Sequence, residues 1–391
     1  MKTAFKLAYR NLIGAGLRTW LSVIVLSFSF VVIIWMKGIM TGWDYQAKTD
    51  MTDWEIGKGQ YWHTDYDPFD PFSFYDSHAP IPEKYSYEVD KGNVMAALII
   101  HGNIYPHGRM QPIAIHGVSP QQNVLKLPTH KLDTATDAIP AIIGMATAKN
   151  AKLNIGDYVT IRWRDTKGMF DATELIITDI FSCNVPSVES GKIYIPLSNL
   201  QSMMGYQNEA TILTFGNNIE TVNATDAWTF KTTETLTKAI DDMVKTKSTG
   251  QSVFYVILLL LAMLAIFDTQ VLNIFRRQKE IGTYIALGYT RKEVVGLFTV
   301  EGAMHSVLAA VLSAIYGIPF LMWQAKTGWT MPVEASDFGM AMSQTLYPVY
   351  SIGLIVTTTL IVVTVTTVVS YWPARKIAKM NPTEALRGKI Q

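Results

Sequence analysis

The chain has 391 residues, of which 49% are hydrophobic and 17% are charged, and its formal net charge at pH 7 is +1. Its mean hydropathy of +0.17 is high for a soluble protein and low for one buried wholly in a membrane, so we expect both membrane-spanning and water-exposed parts. The small net charge favours no class of charged partner, and no basic and aromatic patch predicts binding to nucleic acid. The one cysteine, Cys183, excludes an intrachain disulfide.

The beginning of the chain predicts one surface helix and one membrane helix. Residues 1–16 place basic side chains on one side of a helical projection and apolar ones on the other, which is typical of an amphipathic helix lying in the membrane surface. Residues 17–40 follow as the first membrane helix, because 19–36 is uncharged and long enough to cross the hydrocarbon. We expect this helix to be retained, with its N-terminus inside, since it lacks the features of a cleaved signal peptide.

Residues 41–230 contain no spanning stretch, so we expect a large α+β domain outside the cytoplasm, held together by its own core. A helical stretch near Met145–Ala151 precedes a turn into a strand. The predicted strands are 96–101, 113–117, 158–163, 175–181, 192–195 and 211–215.

The first part of this domain is crowded with aromatic side chains, and two interpretations stay open. One is a belt at the membrane interface together with domain core. The other is an apolar groove for a lipidated or hydrophobic substrate that leaves the outer leaflet. The candidate substrate-contact residues under the second interpretation are Trp43, Trp54, Trp62, Phe69 and Phe72.

The next segment is predicted to be a stalk helix that leads into the second membrane helix. Residues 231–252 place Leu236, Ile240 and Met243 on one face, which is amphipathic spacing. They run almost directly into the apolar stretch 253–275, so a rod that extends the membrane helix is the simplest interpretation.

A short polar loop, residues 276–293, separates two apolar runs and carries an excess of Lys and Arg, which places it in the cytoplasm. Residues 280–287 predict a short helix that ends at Gly288, which can adopt the left-handed conformation. Thr290 and Glu293 have the spacing of a capping box for the next helix. Apolar residues within so short a helix favour a docking element over a simple tether.

The remainder predicts two further membrane helices. In the third, residues 294–323, Gly302, Ser306 and Ala310 recur every four residues, so this helix is expected to pack closely against another. A short external loop, 324–346, precedes the fourth membrane helix, 347–372. The basic residues of 373–391 place the tail in the cytoplasm.

The predicted fold class is therefore an α-helical membrane protein with four transmembrane helices and a large extracytoplasmic α+β domain inserted between helices 1 and 2. Glu301 and His305 lie on one face of the third helix, but two such residues make at most half a metal site. The other histidines show no metal-ligand spacing, and no order of nucleophile, histidine and acid stands out. We therefore predict no metal site and no catalytic residue.

The loop also carries a family pattern. The order R-x-x-E-I-G-x-x-x-A-L-G, followed by a Glu in the next membrane helix, resembles the FtsX-like permease family, the membrane subunits of MacB-type ABC transporters. The words A-x-R-N-L near the start, G-V-S-P in the external domain and M-N-P-T-E-A-L-R near the end are similar to the same family and to lipoprotein-releasing permeases of the LolC/LolE type. In that family this loop is the coupling helix that fits into the ATPase. The resemblance implies coupling roles for Arg277, Glu280, Ile281, Gly282, Tyr284, Ala286, Leu287, Gly288, Thr290 and Arg291, although the family more often has Arg or Leu where this chain has Tyr284.

The resemblance further implies a non-catalytic permease subunit in the bacterial inner membrane, with its large domain in the periplasm. Two such subunits, identical or related, would bind two copies of a separate ABC ATPase. No G-x-x-x-x-G-K-[S/T] motif occurs in this sequence, so we expect ATP and Mg on the partner and no cofactor on this chain. Mechanotransmission would then release lipoproteins or other lipidic substrates from the outer leaflet. Membrane lipids, a lipoprotein substrate and a periplasmic adaptor or chaperone are further expected partners.

Three other functions stay open. One is efflux of peptides or hydrophobic drugs with a periplasmic adaptor, and another is FtsX-like signalling to a cell-wall hydrolase. The third is an ion-coupled transporter that uses Asp268 and Glu301, because ionisable residues within membrane helices are costly and usually functional.

Overall fold

The computed structural model describes residues 17–216, 227–330 and 345–376. In chain order the helices are α1 (Leu17–Met51), α2 (Glu83–Asp90), α3 (Met145–Ala151), α4 (Pro186–Glu189), α5 (Leu197–Met204), α6 (Thr233–Arg276), α7 (Gln278–Ala286), α8 (Arg291–Thr327) and α9 (Ile352–Ala374). The strands are β1 (Gln60–His63), β2 (Ala79–Pro80), β3 (Val94–Ile104), β4 (Gln111–Val118), β5 (Ile139–Gly144), β6 (Tyr158–Arg164), β7 (Phe170–Phe181), β8 (Lys192–Pro196), β9 (Glu209–Ala210), β10 (Ile212–Phe215), β11 (Trp228–Lys231), β12 (Trp329–Thr330) and β13 (Thr345–Leu346).

These elements divide into two compact units. Within the described ranges the helical unit comprises residues 17–43, 244–329 and 345–376, and the sheet unit comprises 44–216, 227–243 and 330. The surface helix predicted at 1–16 and most of the basic tail predicted at 373–391 lie outside the described residues.

In the helical unit the described residues form four helices, α1, α6, α8 and α9, that are long and apolar enough to cross a membrane. Their shared core contains Leu26 and Phe30 of α1, Ile266 of α6, Ala309 of α8 and Val362 of α9. Many of their other large apolar side chains point outward and are exposed, which is the distribution expected of helices surrounded by lipid.

The small residues of α8 allow close helix packing, as their spacing predicts. A methyl group added at Gly302 would lie 2.2 Å from Ser370 Oγ of α9, and one at Gly317 would lie 2.7 Å from Val31 Cγ2 of α1. Without a side chain at these positions the backbones approach more closely than any other residue would permit.

Two helix boundaries differ from the prediction. The helix predicted at 17–40 continues to Met51, and an ion pair of 3.0 Å between Asp44 and Lys48, one turn apart, supports the added turns. The fourth membrane helix, predicted from residue 347, begins at Ile352, where the Ser351 hydroxyl accepts a hydrogen bond from the Leu354 amide.

The sheet unit is built on a nine-stranded sheet in the order β11-β1-β10-β3-β4-β8-β5-β7-β6. The pairs β4–β8 and β5–β7 are parallel, and an additional antiparallel pairing of β3 with β6 closes six of the strands into a ring. The six predicted strands and the helix at Met145–Ala151 are confirmed, whereas β1, β5 and β11 were not predicted. The main core lies on one face of this sheet and includes Leu98, Ile115, Ile161 and Ile193.

A paired substitution tests the packing of α8 against α9. Gly302→Ala should lower the free energy of unfolding by about 1–3 kcal/mol, because the added methyl group overpacks the contact with Ser370. Gly296→Ala in the same helix is the control, since a methyl group there meets no described atom within 4 Å. Its expected effect is a stability that stays the same or rises by about 0.5–1 kcal/mol. Unfolding by sodium dodecyl sulfate in detergent micelles measures both, and equal effects would contradict the close contact.

Candidate functional site

The polar loop between α6 and α8 folds as the separate helix α7, and each of its ends has a local cause. Arg277 breaks the preceding helix, because its backbone angles, φ −102° and ψ 21°, lie outside the helical range. At the other end Gly288 adopts a left-handed φ of +96°. The Tyr289 amide then donates to the Tyr284 carbonyl at 3.1 Å. The predicted helix stop at Gly288 is thereby confirmed.

The start of α8 is fixed by the predicted capping box. The Glu293 amide donates to Thr290 Oγ1 at 3.3 Å, and the Thr290 amide donates to the Glu293 carboxylate at 2.8 Å. This reciprocal pair satisfies donors that the first helical turn leaves open. Helix α7 is consequently bounded by defined stops on both sides.

The inner face of α7 is held by apolar packing. Ile281 is fully buried, and it belongs to one cluster with Ile274 of α6, Val294 and Phe298 of α8 and Ala374 of α9. Gly282 beside it is also buried. Because three membrane helices contribute to this cluster, a displacement of α7 would disturb all three.

A buried ion pair adds a second attachment. Arg277 Nη1 lies 2.8 Å from both carboxylate oxygens of Glu301, and Arg277 Nε lies 2.6 Å from Glu280. The guanidinium carbon also lies 5.0 Å from the ring centroid of Phe298. Only 5% of the Glu301 side chain is exposed, so this carboxylate depends on Arg277 for its counter-charge.

The other ionisable residues near this pair form no metal site. His305 is buried, and its Nδ1 lies 3.2 Å from the Glu301 backbone carbonyl, so this nitrogen donates and the carbonyl accepts. Among the described residues no group of three or more potential ligands is arranged to hold a metal. For Asp268, within the same ranges, the structure shows no ion pair with a basic side chain.

The outer end of the loop is exposed and apolar. We call residues 286–291 the exposed tip, in which Leu287 is 72% exposed and Tyr289 is 52% exposed. Basic side chains at Lys279 and Lys292 flank it, and both are exposed. The predicted coupling residues therefore fall into two sets. Arg277, Ile281 and Gly282 face inward and hold the helix, whereas Ala286, Leu287, Gly288, Thr290 and Arg291 are open to a partner, with Glu280 exposed and Tyr284 half-buried between them.

The five predicted substrate-contact residues do not form one site. Trp54, Trp62 and Phe69 line a single cavity of about 810 Å³ in the sheet unit. Phe72 is 83% exposed and lines a separate cavity of about 240 Å³. Trp43 is buried and belongs to the helical unit. Sequence reasoning also missed the part of the large cavity's lining that comes from β3 and β4, to which β3 contributes alternate residues from Met95 to His101.

Comparisons with known proteins found one matching family, several relatives and similar solved structures. Residues 252–382 match the family described as FtsX-like permease C-terminal. An uncharacterized ABC transporter permease from Methanocaldococcus jannaschii is 26% identical over 144 residues, which are 34% of this chain and 30% of that protein. The macrolide export ATP-binding/permease protein MacB from Campylobacter jejuni is 26% identical over 161 residues, which are 41% of this chain and 23% of that protein.

Residues 252–382 are thus similar to the FtsX-like permease family, and MacB is among the relatives of the chain. The matched stretches span less than a third of the length of either relative. The crystal structure of the periplasmic region of MacB from Actinobacillus actinomycetemcomitans aligns with 48% of this chain and 94% of that chain, at 13% identity and a TM-score of 0.32.

The family match contains the whole of the site described above. Residues 252–382 include Arg277, helix α7, the exposed tip and Glu301. The loop pattern therefore corresponds to a short helix whose inner side is held by apolar packing and an ion pair and whose outer side is exposed.

The ion pair between Arg277 and Glu301 can be tested by a double-mutant cycle. Arg277→Met should lower the free energy of unfolding by about 3 kcal/mol, because it leaves Glu301 buried without a cation. The double variant Arg277→Met/Glu301→Leu should recover most of that loss, since it removes both charges. Arg276→Met is the matched control, because the neighbouring arginine is exposed. Full additivity of the two single losses in detergent unfolding would contradict the pairing.

Proposed function

We propose that this chain is the membrane subunit of an ABC transporter and that α7 is its coupling helix. The observation that carries the proposal is the two-sided attachment of α7. Its inner face is fixed by Ile281 and by the pair of Arg277 with Glu301, while the exposed tip presents Leu287 and Tyr289 to a partner.

The arrangement suits the transfer of a force. A docking helix must be rigid relative to the element that it moves. Here Arg277 joins α7 to α8 through Glu301, a buried residue of α8. An apolar centre with a polar rim is the usual composition of a protein interface. A partner that changes shape with its nucleotide can shift the membrane helices only through contacts that differ between its two states.

The partner that we propose is a separate ABC ATPase in two copies, with ATP and Mg bound on it. The sequence given has no G-x-x-x-x-G-K-[S/T] motif, whereas the Campylobacter jejuni relative is named an ATP-binding/permease protein. A second permease subunit, identical or related, completes the proposed assembly in the inner membrane. In this assembly the sheet unit lies on the periplasmic side of the membrane.

For the substrate we propose a lipoprotein or another lipidic molecule of the outer leaflet. The support is the cavity of about 810 Å³ in the sheet unit, because its wall is dominated by aromatic and aliphatic side chains. Export of a hydrophobic drug uses the same chemistry and is the second candidate. The experiment below separates the coupling claim from either substrate.

The coupling claim is tested at Leu287. Leu287→Asp should weaken binding of the ATPase by at least about tenfold, because a charge replaces an exposed apolar contact at the centre of the tip. The tagged full chain is purified from its native host, and the co-purified protein must carry the nucleotide-binding motif and hydrolyse ATP. Ile155→Asp is the control, since it makes the same change at a side chain of the sheet unit that is 60% exposed. Undiminished binding by Leu287→Asp would contradict the assignment.

The proposed topology is tested with single cysteines. Burial raises the pKa of the native Cys183 thiol to about 11, so it stays protonated near pH 7.5 and reacts slowly with maleimides. In intact cells a membrane-impermeant maleimide should label Ile155→Cys. It should label Leu287→Cys only after the membrane is made permeable. The reverse pattern would place the loop outside the cytoplasm.

A further inference from the structure

The sheet of the sheet unit is apolar on both faces, and a second cluster of buried side chains lies on the face opposite the main core. Successive residues of a strand point to opposite faces. In β3, Val94, Ala96, Leu98 and Ile100 enter the main core, whereas Met95, Ala97, Ile99 and His101 line the large cavity. The cavity is therefore built on the second face of the sheet.

The register carries this second face across neighbouring strands. Lys231 of β11 pairs with Gln60 of β1, which pairs with Thr214 of β10, which pairs with Met95 of β3. All four residues line the cavity. The floor continues over β4 to Lys192 of β8, so it crosses six strands. At strand spacings of about 4.8 Å this distance is roughly 24 Å, which suits an elongated ligand better than a compact one.

Small residues on the floor and large ones above it create the space. Ala97 and Ala114 are on the floor, paired with Val118 and His101 respectively across β3 and β4. Tyr66 contributes to the opposite side, and its ring lies 5.1 Å from Trp62 and 5.7 Å from Phe74. The resulting volume of about 810 Å³ falls within the range of roughly 300–1,000 Å³ for small-molecule sites.

The charges of the lining are unequal at the two ends. Glu55 is neutralised by Lys192, whose Nζ lies 2.9 Å from its carboxylate, and Ser187 donates to the same carboxylate at 2.7 Å. Burial lowers the pKa of His101 and of His116, so both imidazoles are neutral at pH 7.

Lys231 is the remaining charge of the lining, at the other end of the floor. Its Nζ lies 5.9 Å from the ring centroid of Trp62, and no carboxylate of the described residues lies within ion-pair distance of it. With two lysines and one glutamate, the cavity therefore carries one net positive charge, located on β11.

We propose that this cavity binds an amphiphile with one acyl chain and one anionic headgroup, with the chain along the floor and the headgroup at Lys231. The apolar strip matches a single long chain, and the lone charge at its end selects an anion over a cation or a neutral head. Phe69, which lines the cavity while 92% exposed, forms its mouth. This inference deepens the proposed function, because it names a substrate class. Transport of the amphiphile rests on the proposed function, whereas its binding in the cavity does not.

The test uses the full chain in phosphatidylcholine nanodiscs without nucleotide or partner. The probe is a fatty acid with a diazirine on its chain, and the labelled peptides are identified by mass spectrometry. Labelling should fall on β3 and β4, and oleate should compete about tenfold better than oleyl alcohol, because only oleate carries the anionic head. Labelling confined to α6, α8 and α9, or equal competition by acid and alcohol, would overturn the proposal.

Variants locate the two parts of the ligand. Lys231→Met should remove the preference for oleate over oleyl alcohol, whereas Lys238→Met, an exposed lysine of α6 outside the lining, should keep it. Ala97→Leu should reduce labelling by the diazirine fatty acid because the larger side chain fills the floor. Phe69→Ser should reduce labelling more than Phe72→Ser, since both phenylalanines are exposed but only Phe69 lines this cavity. Unchanged thermal unfolding of each variant distinguishes lost binding from lost folding.

Two further experiments are added. The first asks whether the ligand comes from the membrane, and the second tests binding in the cavity independently of binding to the ATPase. A diazirine lysophosphatidylglycerol built into the bilayer represents a membrane-derived amphiphile, and labelling of the cavity by either probe supports the site. Labelling by neither overturns it. Leu287→Asp should bind the probe normally, so loss of ATPase binding and loss of the cavity ligand are independent results.

Discussion

A carboxylate enclosed by membrane helices requires a counter-charge, and in this chain Arg277 supplies it to Glu301. Arg277 leaves the helical conformation at the junction between α6 and α7, and from there its guanidinium contacts Glu301. The apolar contact of Ile281 then holds α7 against α8. The buried charge on α8 and the apolar contact of Ile281 together attach the short helix to its neighbours.

The two units place apolar surface in different ways. In the helical unit, side chains such as Leu264 and Ile315 are exposed, and a lipid environment removes the cost of that exposure. The sheet unit has no such solvent, so its second apolar face is enclosed by the aromatic segment that follows α1. Enclosure is incomplete because Ala97 and Ala114 leave room above the floor. Trp54, Trp62 and Phe69 of this segment line the cavity, whereas Tyr61 belongs to the main core.

Local signals were sufficient for much of this structure. The stop at Gly288, the capping box of Thr290 and the strand around 96–101 are each encoded within a few residues, and they were predicted from those residues. The loop pattern also indicated similarity to the FtsX-like family. The division of that loop into an inward and an outward set follows from the ion pair of Arg277, which joins residues 24 positions apart.

Other features depend on contacts between distant parts of the chain and had no local signal. Strand β1 is four residues long and takes its identity from β10 and β11, both far along the sequence. The aromatic cluster suggested a substrate surface, but it could not show that Trp54 and Trp62 share a cavity while Trp43 belongs to another unit. That grouping depends on packing between segments that are distant in the sequence, which the pattern within one segment does not give.

The pairing of Gln60 with Lys231 has a consequence for the order of folding. Hairpins such as β3–β4 and β6–β7 join neighbours in sequence and can form early, while the chain is still being made. Strand β1, in contrast, has no partner until β10 and β11 have been synthesised, because both of its neighbours come from the far end of the sheet unit. Closing so long a loop is entropically costly and slow. The capture of β1 is therefore expected to be a late and slow step in the folding of this unit.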